Sequence, residues 1–103
     1  MKRALRLSRQ VIEFAQRLAP APRRALKQAL EELRADEGDI QPLEGSLAGY
    51  HRLRVGRHRV IFQYVGGGEI EAVFIEERAL VYEVFEAELV RRLRQGNPPY
   101  LTK

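Results

Sequence analysis

Four arginines surround Gly56 within a window of eight residues. Apolar residues alternate with them on both sides of the glycine, which predicts two β-strands joined by a tight turn. If the turn has an even number of residues, Arg54 faces Arg57 or Arg59 across the hairpin, and Arg52 points the same way. Because opposed like charges destabilise a sheet, this arrangement favours a binding site for an anion.

The composition predicts one small globular domain. The chain has 103 residues, of which 45% are apolar and 31% are charged, and its 18 Lys and Arg against 14 Asp and Glu give a net charge of +4. Such a charge favours anionic partners without identifying one. The absence of cysteine excludes a disulfide framework and a thiolate metal site, and two histidines are too few for a metal site of their own.

The sequence shows no targeting or membrane segment. Its first residues are basic but lack the apolar stretch of a signal peptide. Its longest uncharged run, 60–68, is far shorter than a membrane span. We therefore expect a soluble cytoplasmic protein with no membrane partner.

Helical spacing of apolar residues places an αα-hairpin near the start of the chain. A short edge strand over 3–7 precedes it, Ser8 is a candidate N-cap for its first helix, and the second helix is expected over 23–35. A final helix is expected over 83–95. We expect a single domain over 1–96, followed by an extended tail over 97–103.

Four strands are predicted between the helical hairpin and the final helix, over 51–55, 57–65, 69–76 and 79–84. The segment 38–49 is expected to be a loop. Because the strands follow the helices as a block, the predicted fold is α+β with an antiparallel meander sheet of about four strands.

Four motifs along the chain resemble those of the RelE/ParE toxin superfamily. They are Leu43-Glu44-Gly45, Arg52-Leu53-Arg54-Val55-Gly56, His58-Arg59-Val60-Ile61-Phe62 and Arg78-Ala79-Leu80-Val81-Tyr82. Each motif is weak alone, but their order and spacing are fairly specific. The resemblance covers nearly the whole chain, and it implies a strand, two helices, an antiparallel sheet and a C-terminal helix.

The resemblance also implies a reaction. Members of the RelE branch enter the ribosomal A site and cut mRNA, through attack of a ribose 2′-hydroxyl on its own phosphodiester. Their two basic strand residues match Arg52 and Arg54, their strand-opening arginine matches Arg59, and their late tyrosine matches Tyr82. The implied partners are a cognate antitoxin, the ribosome and mRNA, with DNA reached only through the antitoxin. We expect no cofactor and no metal.

Two positions depart from the family pattern. Glu76 stands where ribonuclease members carry a further arginine, and His58 replaces the aromatic residue that precedes the strand-opening arginine. A ParE-type toxin, which has the same fold but binds DNA gyrase and has no nuclease site, is therefore the alternative. A binding module without toxic activity is the third interpretation.

The chemistry of the side chains assigns the roles. Arginine cannot act as a base, since its pKa lies above ~12, but its planar guanidinium group can donate two parallel hydrogen bonds to a phosphate. Arg52, Arg54 and Arg59 are therefore predicted to stabilise the transition state and to grip RNA. Tyr82 is the hypothetical proton-transfer residue, with base stacking and partial burial as its alternatives.

Further residues extend this prediction. Arg57 and Arg78 are expected to bind RNA, although Arg78 could instead pair with Glu76 or Glu77. Strand parity turns both histidines toward apolar residues, so a packing role is expected for each, and His58 is a second choice as acid or base. The final helix carries three arginines on its polar side and is a candidate docking element for the antitoxin: Arg91, Arg92 and Arg94.

Overall fold

The computed structural model describes residues 2–77 and 81–94, with the side chains of the last helix described as far as residue 91. Within these residues, three α-helices and five strands follow one another in the order β1 (Leu5–Leu7), α1 (Arg9–Arg17), α2 (Pro20–Leu33), β2 (Asp39–Pro42), β3 (His51–Val55), β4 (His58–Val65), β5 (Glu69–Glu77) and α3 (Val81–Arg94). The strands form one sheet in the order β1-β5-β4-β3-β2. The β1–β5 pair is parallel, and the other pairs are antiparallel.

The predicted α+β class and order of helices are confirmed, and two predicted elements are wrong. The expected strand over 79–84 is helical from Val81 onward, because Val81 and Phe85 lie four residues apart and are both buried. The expected loop over 38–49 contains β2 and a short 3-10 helix, Gly45–Leu47. The sheet therefore has five strands and is mixed.

The start of α2 also differs from the expectation. Helix α2 begins at Pro20, three residues earlier than predicted. Proline suits the first turn of a helix, where its missing N–H costs no hydrogen bond. The predicted tail over 97–103 lies outside the described residues.

The two faces of the sheet are covered by different helices. Helices α1 and α2 cover one face, where ten fully or nearly fully buried residues form the larger core cluster: Val11, Leu26, Leu30, Leu33, Leu53, Val60, Phe62, Ile70, Ala72 and Ile75. Helix α3 covers the other face with a second cluster: Leu47, Ile61, Val73, Phe74, Val81 and Phe85. This double covering explains why β5 is apolar without alternation from residue 72 to residue 75.

A β-bulge in β5 decides which of its residues reach each face. Ile61 of β4 pairs with Phe74, but the next residue of β4, Phe62, pairs with Ala72, so Val73 is the extra residue. A bulge changes the parity of every residue beyond it. Ala72 therefore packs under α1 and α2, whereas Val73 and Phe74 both pack under α3.

The start of α1 completes the outer edge of β5 beyond the short strand β1. Ser8 donates from its backbone N to the Ala72 carbonyl at 2.9 Å and from Oγ to the Val73 carbonyl at 2.9 Å. Its Oγ also accepts from the backbone N of Val11 at 3.2 Å, which confirms the predicted N-cap. The bulged residue is thus held from outside the sheet.

The Gln10 side chain extends this edge by a further step. Its Nε2 donates to the Ile75 carbonyl at 2.7 Å, and its Oε1 accepts from the Ile75 backbone N at 2.8 Å. The amide thereby imitates the backbone of a neighbouring strand. Ile75 itself is fully buried, so both of its backbone groups depend on this partner.

A polar cluster ties the chain start, the end of α2 and the β4–β5 hairpin together. Arg3 Nε donates to Asp36 Oδ1 at 3.0 Å, Tyr64 donates its hydroxyl to the same oxygen at 3.0 Å, and the Arg3 guanidinium lies 4.9 Å from the centre of the Tyr64 ring. The hydrogen bond from Arg3 is the main cause that holds the pKa of Asp36 below its ordinary value. Burial is the main cause that raises the pKa of Tyr64.

Across residues 2–77 and 81–94, no helix combines the length and the apolar character needed to cross a membrane.

Replacing Gln10 by alanine should destabilise the sheet edge. The change leaves the N–H and C=O of Ile75 without their partner, and we expect a loss of about 1–3 kcal/mol in the free energy of unfolding. Urea denaturation measures it. Gln16→Ala on the same helix, where the side chain is exposed, is the control, and equal losses in both variants would contradict the role of Gln10.

Replacing Asp36 by asparagine should change how stability depends on pH. Because the folded-state pKa of Asp36 is lowered, its stabilisation is complete above the ordinary carboxyl pKa of about 4 and is lost as pH falls through the lowered value. We expect the melting temperatures of the wild type and the variant to differ at neutral pH and to converge toward pH 2. A difference that is constant across this range would contradict the linkage. Asparagine tolerates the positive φ of 60° at this position.

Candidate functional site

Four charged residues form one rung across four strands. Arg54 of β3 lies directly opposite Arg59 of β4, Arg59 lies opposite Glu76 of β5, and Arg54 lies opposite Asp39 of β2 on its other side. We call Asp39, Arg54, Arg59 and Glu76 the charged row. Directly paired residues share one face of a sheet, so all four project from the same face.

The charged row lies on the face that α3 covers. The next rung on this face pairs Ile61 with Phe74, and both side chains pack under α3 together with Val81, the first residue of that helix. Alternate residues of a strand are spaced by about 7 Å. The row therefore lies at the edge of the α3 core, beside the start of the helix.

The row carries positive charges at its centre and negative charges at its two ends. Two arginines occupy the two middle strands of the row. Of the two partners predicted for Arg54, Arg57 and Arg59, the structure selects Arg59. A carboxylate flanks them on each side, Asp39 on β2 and Glu76 on β5. Because opposed like charges destabilise a sheet, these carboxylates offset the repulsion between the arginines. The row is formally neutral rather than a purely basic patch.

Arg52 shares this face but is held at the edge of the sheet. Its Nη1 donates to Asp39 Oδ1 and to the Asp39 carbonyl, each at 3.0 Å, and its side chain is only 13% exposed. Arg52, one of the three arginines predicted to act together, is thus bound to a carboxylate of the row. Asp39 was missed by the sequence reasoning, since its strand was assigned to a loop.

Arg59 is drawn toward the turn of the β3–β4 hairpin. Its side chain is half-buried, and its Nη1 donates to the carbonyls of Gly56 and His58 at 3.3 and 3.2 Å. Gly56 has a positive φ of 61°, which a residue with a side chain would adopt only with strain. Arg54 and Arg57 are exposed at this end of the hairpin.

Tyr82 lies on α3 and not on the strand expected over 79–84. It follows buried Val81 and is 37% exposed. Residues four apart lie on the same side of a helix, so Tyr82 shares a side of α3 with Glu86. The Glu86 carboxylate accepts a hydrogen bond from Ser46, in the connection between β2 and β3. Tyr82 therefore lies in the first turn of α3, on the side toward β2 and β3.

Both histidines lie on the opposite face of the sheet, as strand parity predicts. The His51 ring stacks on Phe62 with 5.4 Å between ring centres. The His58 ring makes an edge contact with Phe14 of α1 at 5.2 Å. This placement separates His58 from the charged row and removes it as an acid or base for that site.

The remaining predicted residues are described only in part. Arg78 and the side chains of Arg92 and Arg94 lie outside the described residues. Arg91 donates to Glu88 at 2.6 Å on the surface of α3. The structure thus brings together Arg52, Arg54 and Arg59, and it adds the two carboxylates of the row.

No protein-family model matches the chain, and no curated protein matches it by sequence. Solved structures share its fold. A chain of the RelBE2 toxin–antitoxin complex from Mycobacterium tuberculosis matches with a TM-score of 0.66 and 18% identity, over 76% of this chain and 100% of that chain. A chain of the archaeal RelE–RelB complex from Pyrococcus horikoshii OT3 gives a TM-score of 0.62 and 24% identity, over 76% and 97%. A YoeB/ParE toxin from Agrobacterium tumefaciens gives 0.62 and 21%, over 73% and 98%. These likenesses confirm the fold that the motifs predicted.

Replacing Asp39 by asparagine should release Arg52. Because Asp39 is half-exposed, we expect a loss of only about 0.5–1 kcal/mol in the free energy of unfolding, smaller in high salt. The loss should disappear when Arg52 is already replaced by glutamine, which a double-mutant cycle measures. Glu37→Gln, a change at a nearby exposed carboxylate, is the control. A coupling energy of zero would show that Asp39 does not hold Arg52.

Proposed function

We propose that this chain, which has the fold of the RelE/ParE toxin superfamily, is the toxin of a type II toxin–antitoxin pair and cuts mRNA on the ribosome. The proposed reaction is attack of a ribose 2′-hydroxyl on the neighbouring phosphodiester. The bond between phosphorus and the 5′-oxygen breaks, which leaves a 2′,3′-cyclic phosphate and a 5′-hydroxyl. The ribosome as target places the protein in the cytoplasm.

The observation that carries this proposal is the opposition of Arg54 and Arg59 beside the first turn of α3. Two guanidinium groups on one rung form a pair of forks, and each fork can hold two oxygens of a phosphate. The transition state of this cleavage carries more negative charge on the phosphoryl oxygens than the ground state does. A pair of fixed cations therefore stabilises it preferentially.

The other arginines take different parts in the proposal. Arg57 is exposed at the hairpin turn and is proposed to bind the RNA backbone, as is Arg78. Arg52 must leave Asp39 before it can reach a phosphate, because its guanidinium is bound to that residue. Substrate binding would therefore have to rearrange Arg52, and also Arg59, which donates to the carbonyls of Gly56 and His58.

Tyr82 is proposed as the residue that transfers a proton to the leaving 5′-oxygen. It lies in the first turn of α3, directly after Val81. Val81 packs in one cluster with Ile61 and Phe74, which form the rung next to the charged row. A phenol can donate a proton, which none of the arginines can do at neutral pH. Its 37% exposure leaves part of the side chain accessible to a bound nucleotide.

The proposed protein partner is a cognate antitoxin. Two of the structurally similar chains come from complexes of a toxin with its antitoxin. Helix α3 is the proposed docking element, because it carries exposed Val84 and Val90 beside its charged residues. Contact with DNA would then occur only through the antitoxin.

The alternative proposal is a ParE-type inhibitor of DNA gyrase. Glu76 is the observation that favours it, because a carboxylate opposite Arg59 competes with a phosphate for the same guanidinium. The two proposals predict different results in assays with purified components: cleavage of mRNA in one case and inhibition of gyrase in the other. A third proposal, that the chain is a binding module without toxic activity, predicts neither.

The test is cleavage of a translated mRNA by the purified chain. We expect cuts within the A-site codon that require ribosomes, mapped by primer extension, and no effect on supercoiling by gyrase. Tyr82→Phe should lower the single-turnover rate by about 100- to 10,000-fold, since loss of a positioned acid or base has this effect. Arg24→Gln, at an exposed position on α2, is the control.

Each other outcome selects another function. Inhibition of gyrase with intact mRNA would support the ParE-type alternative. Absence of both effects in a folded preparation, whether or not ribosomes are present, would support the inactive binding module. Undiminished cleavage by Tyr82→Phe would overturn the role of the tyrosine alone.

A further inference from the structure

We propose that Glu76 is the proton acceptor for the attacking 2′-hydroxyl. This inference rests on the proposed nuclease function and deepens it, because the arginines and the tyrosine leave the reaction without a base. Glu76 is one of the two positions at which the sequence departs from the family pattern. The structure gives this departure a location beside the predicted phosphate site.

The position of Glu76 follows from the register of β4 and β5. It pairs directly with Arg59, and therefore shares a face and a rung with the two central arginines. Side chains paired in this way have Cβ atoms about 4.5–5.5 Å apart. A phosphate held by Arg59 would thus lie within reach of the Glu76 carboxylate, and so would the ribose attached to that phosphate.

The chemistry of the row leaves two groups able to accept a proton, Asp39 and Glu76. Asp39 lies on the outer strand β2, and its Oδ1 is occupied by Arg52. Glu76 lies at the opposite end of the row, on β5, close to the start of α3. The one hydrogen bond described for its side chain runs from the Glu77 backbone N to its Oε1 at 3.2 Å. Glu76 is therefore the better placed of the two.

The proposed reaction needs no reactant besides the RNA and the side chains of Glu76 and Tyr82. The 2′-hydroxyl proton passes to the Glu76 carboxylate as the 2′-oxygen forms a bond to phosphorus. The bond from phosphorus to the 5′-oxygen breaks, and this oxygen takes the proton of the Tyr82 hydroxyl. Arg54 and Arg59 remain protonated throughout and neutralise the charge on the two non-bridging oxygens.

A competing role for Glu76 is compensation of the arginine charges. In that case the carboxylate only offsets repulsion within the row, and removing its charge would strengthen the binding of phosphate. The two roles predict opposite effects of one substitution. If Glu76 accepts the proton, Glu76→Gln lowers the cleavage rate. If Glu76 only compensates the arginine charges, Glu76→Gln leaves the rate equal or raises it.

The first experiment measures single-turnover cleavage on programmed ribosomes for the wild type, Glu76→Gln and Glu76→Asp. We expect Glu76→Gln to lower the rate about 100- to 10,000-fold, with ribosome affinity unchanged or higher. Glu76→Asp should recover part of the rate, because it keeps the carboxylate. Glu77→Gln, at the adjacent exposed residue on the other face, is the matched control and should cleave like the wild type.

A second substrate separates the base from the acid. In an mRNA with a sulfur in place of the scissile 5′-oxygen, the leaving thiolate needs no proton. Tyr82→Phe should therefore recover most of its rate on this substrate, whereas Glu76→Gln should not. The ribosome affinity of Glu76→Gln, measured in the first experiment, shows that the variant is folded, so its lost rate does not come from misfolding.

These experiments distinguish failure of the proposed role of Glu76 from failure of the proposed nuclease function. If the wild type cleaves and Glu76→Gln cleaves as fast or faster, the role of Glu76 is overturned and the nuclease function stands. Recovery of Glu76→Gln by the sulfur substrate would also overturn that role, because it would make Glu76 the acid. If the wild type does not cleave mRNA on ribosomes, the nuclease proposal itself fails.

Discussion

The β-bulge at Val73 is the constraint on which both cores and the charged row depend. With one extra residue in β5, Arg59 faces Glu76. An unbroken register continued from the earlier pairs would instead set Arg59 against Ile75 and turn Glu76 to the opposite face. A single inserted residue thus decides whether a carboxylate or an apolar side chain stands beside the central arginines.

This bulge is held by the start of α1, at the outer edge of β5. Ser8 bonds to the carbonyl of the bulged residue, and Gln10 bonds to both backbone groups of Ile75. The start of α1 therefore acts as a continuation of the edge strand β1. Since these bonds position the end of β5, the start of α1 helps to set the location of Glu76 on the opposite face.

The charged row shows how the fold accommodates arginines that repel one another. Carboxylates on β2 and β5 flank the central pair, and one of them also binds Arg52. The chain has a net charge of +4, yet this row is formally neutral. A ligand phosphate at the row would therefore have to compete with carboxylates already present, which favours ligands that position the phosphate by other contacts as well.

The sequence alone determined the α+β class, the common face of Arg52, Arg54 and Arg59, and the placement of both histidines among apolar residues, because each follows from local periodicity and one short turn. It could not determine that β2 is a strand, since an edge strand of four residues is stabilised by its pairing partner and shows little alternation. Nor could it place Tyr82 on a helix, because the burial that selects the helical spacing exists only against the sheet. The neighbourhood of Glu76 was decided by tertiary structure for the same reason: a bulge shifts the register between residues distant in sequence, and no local pattern records it.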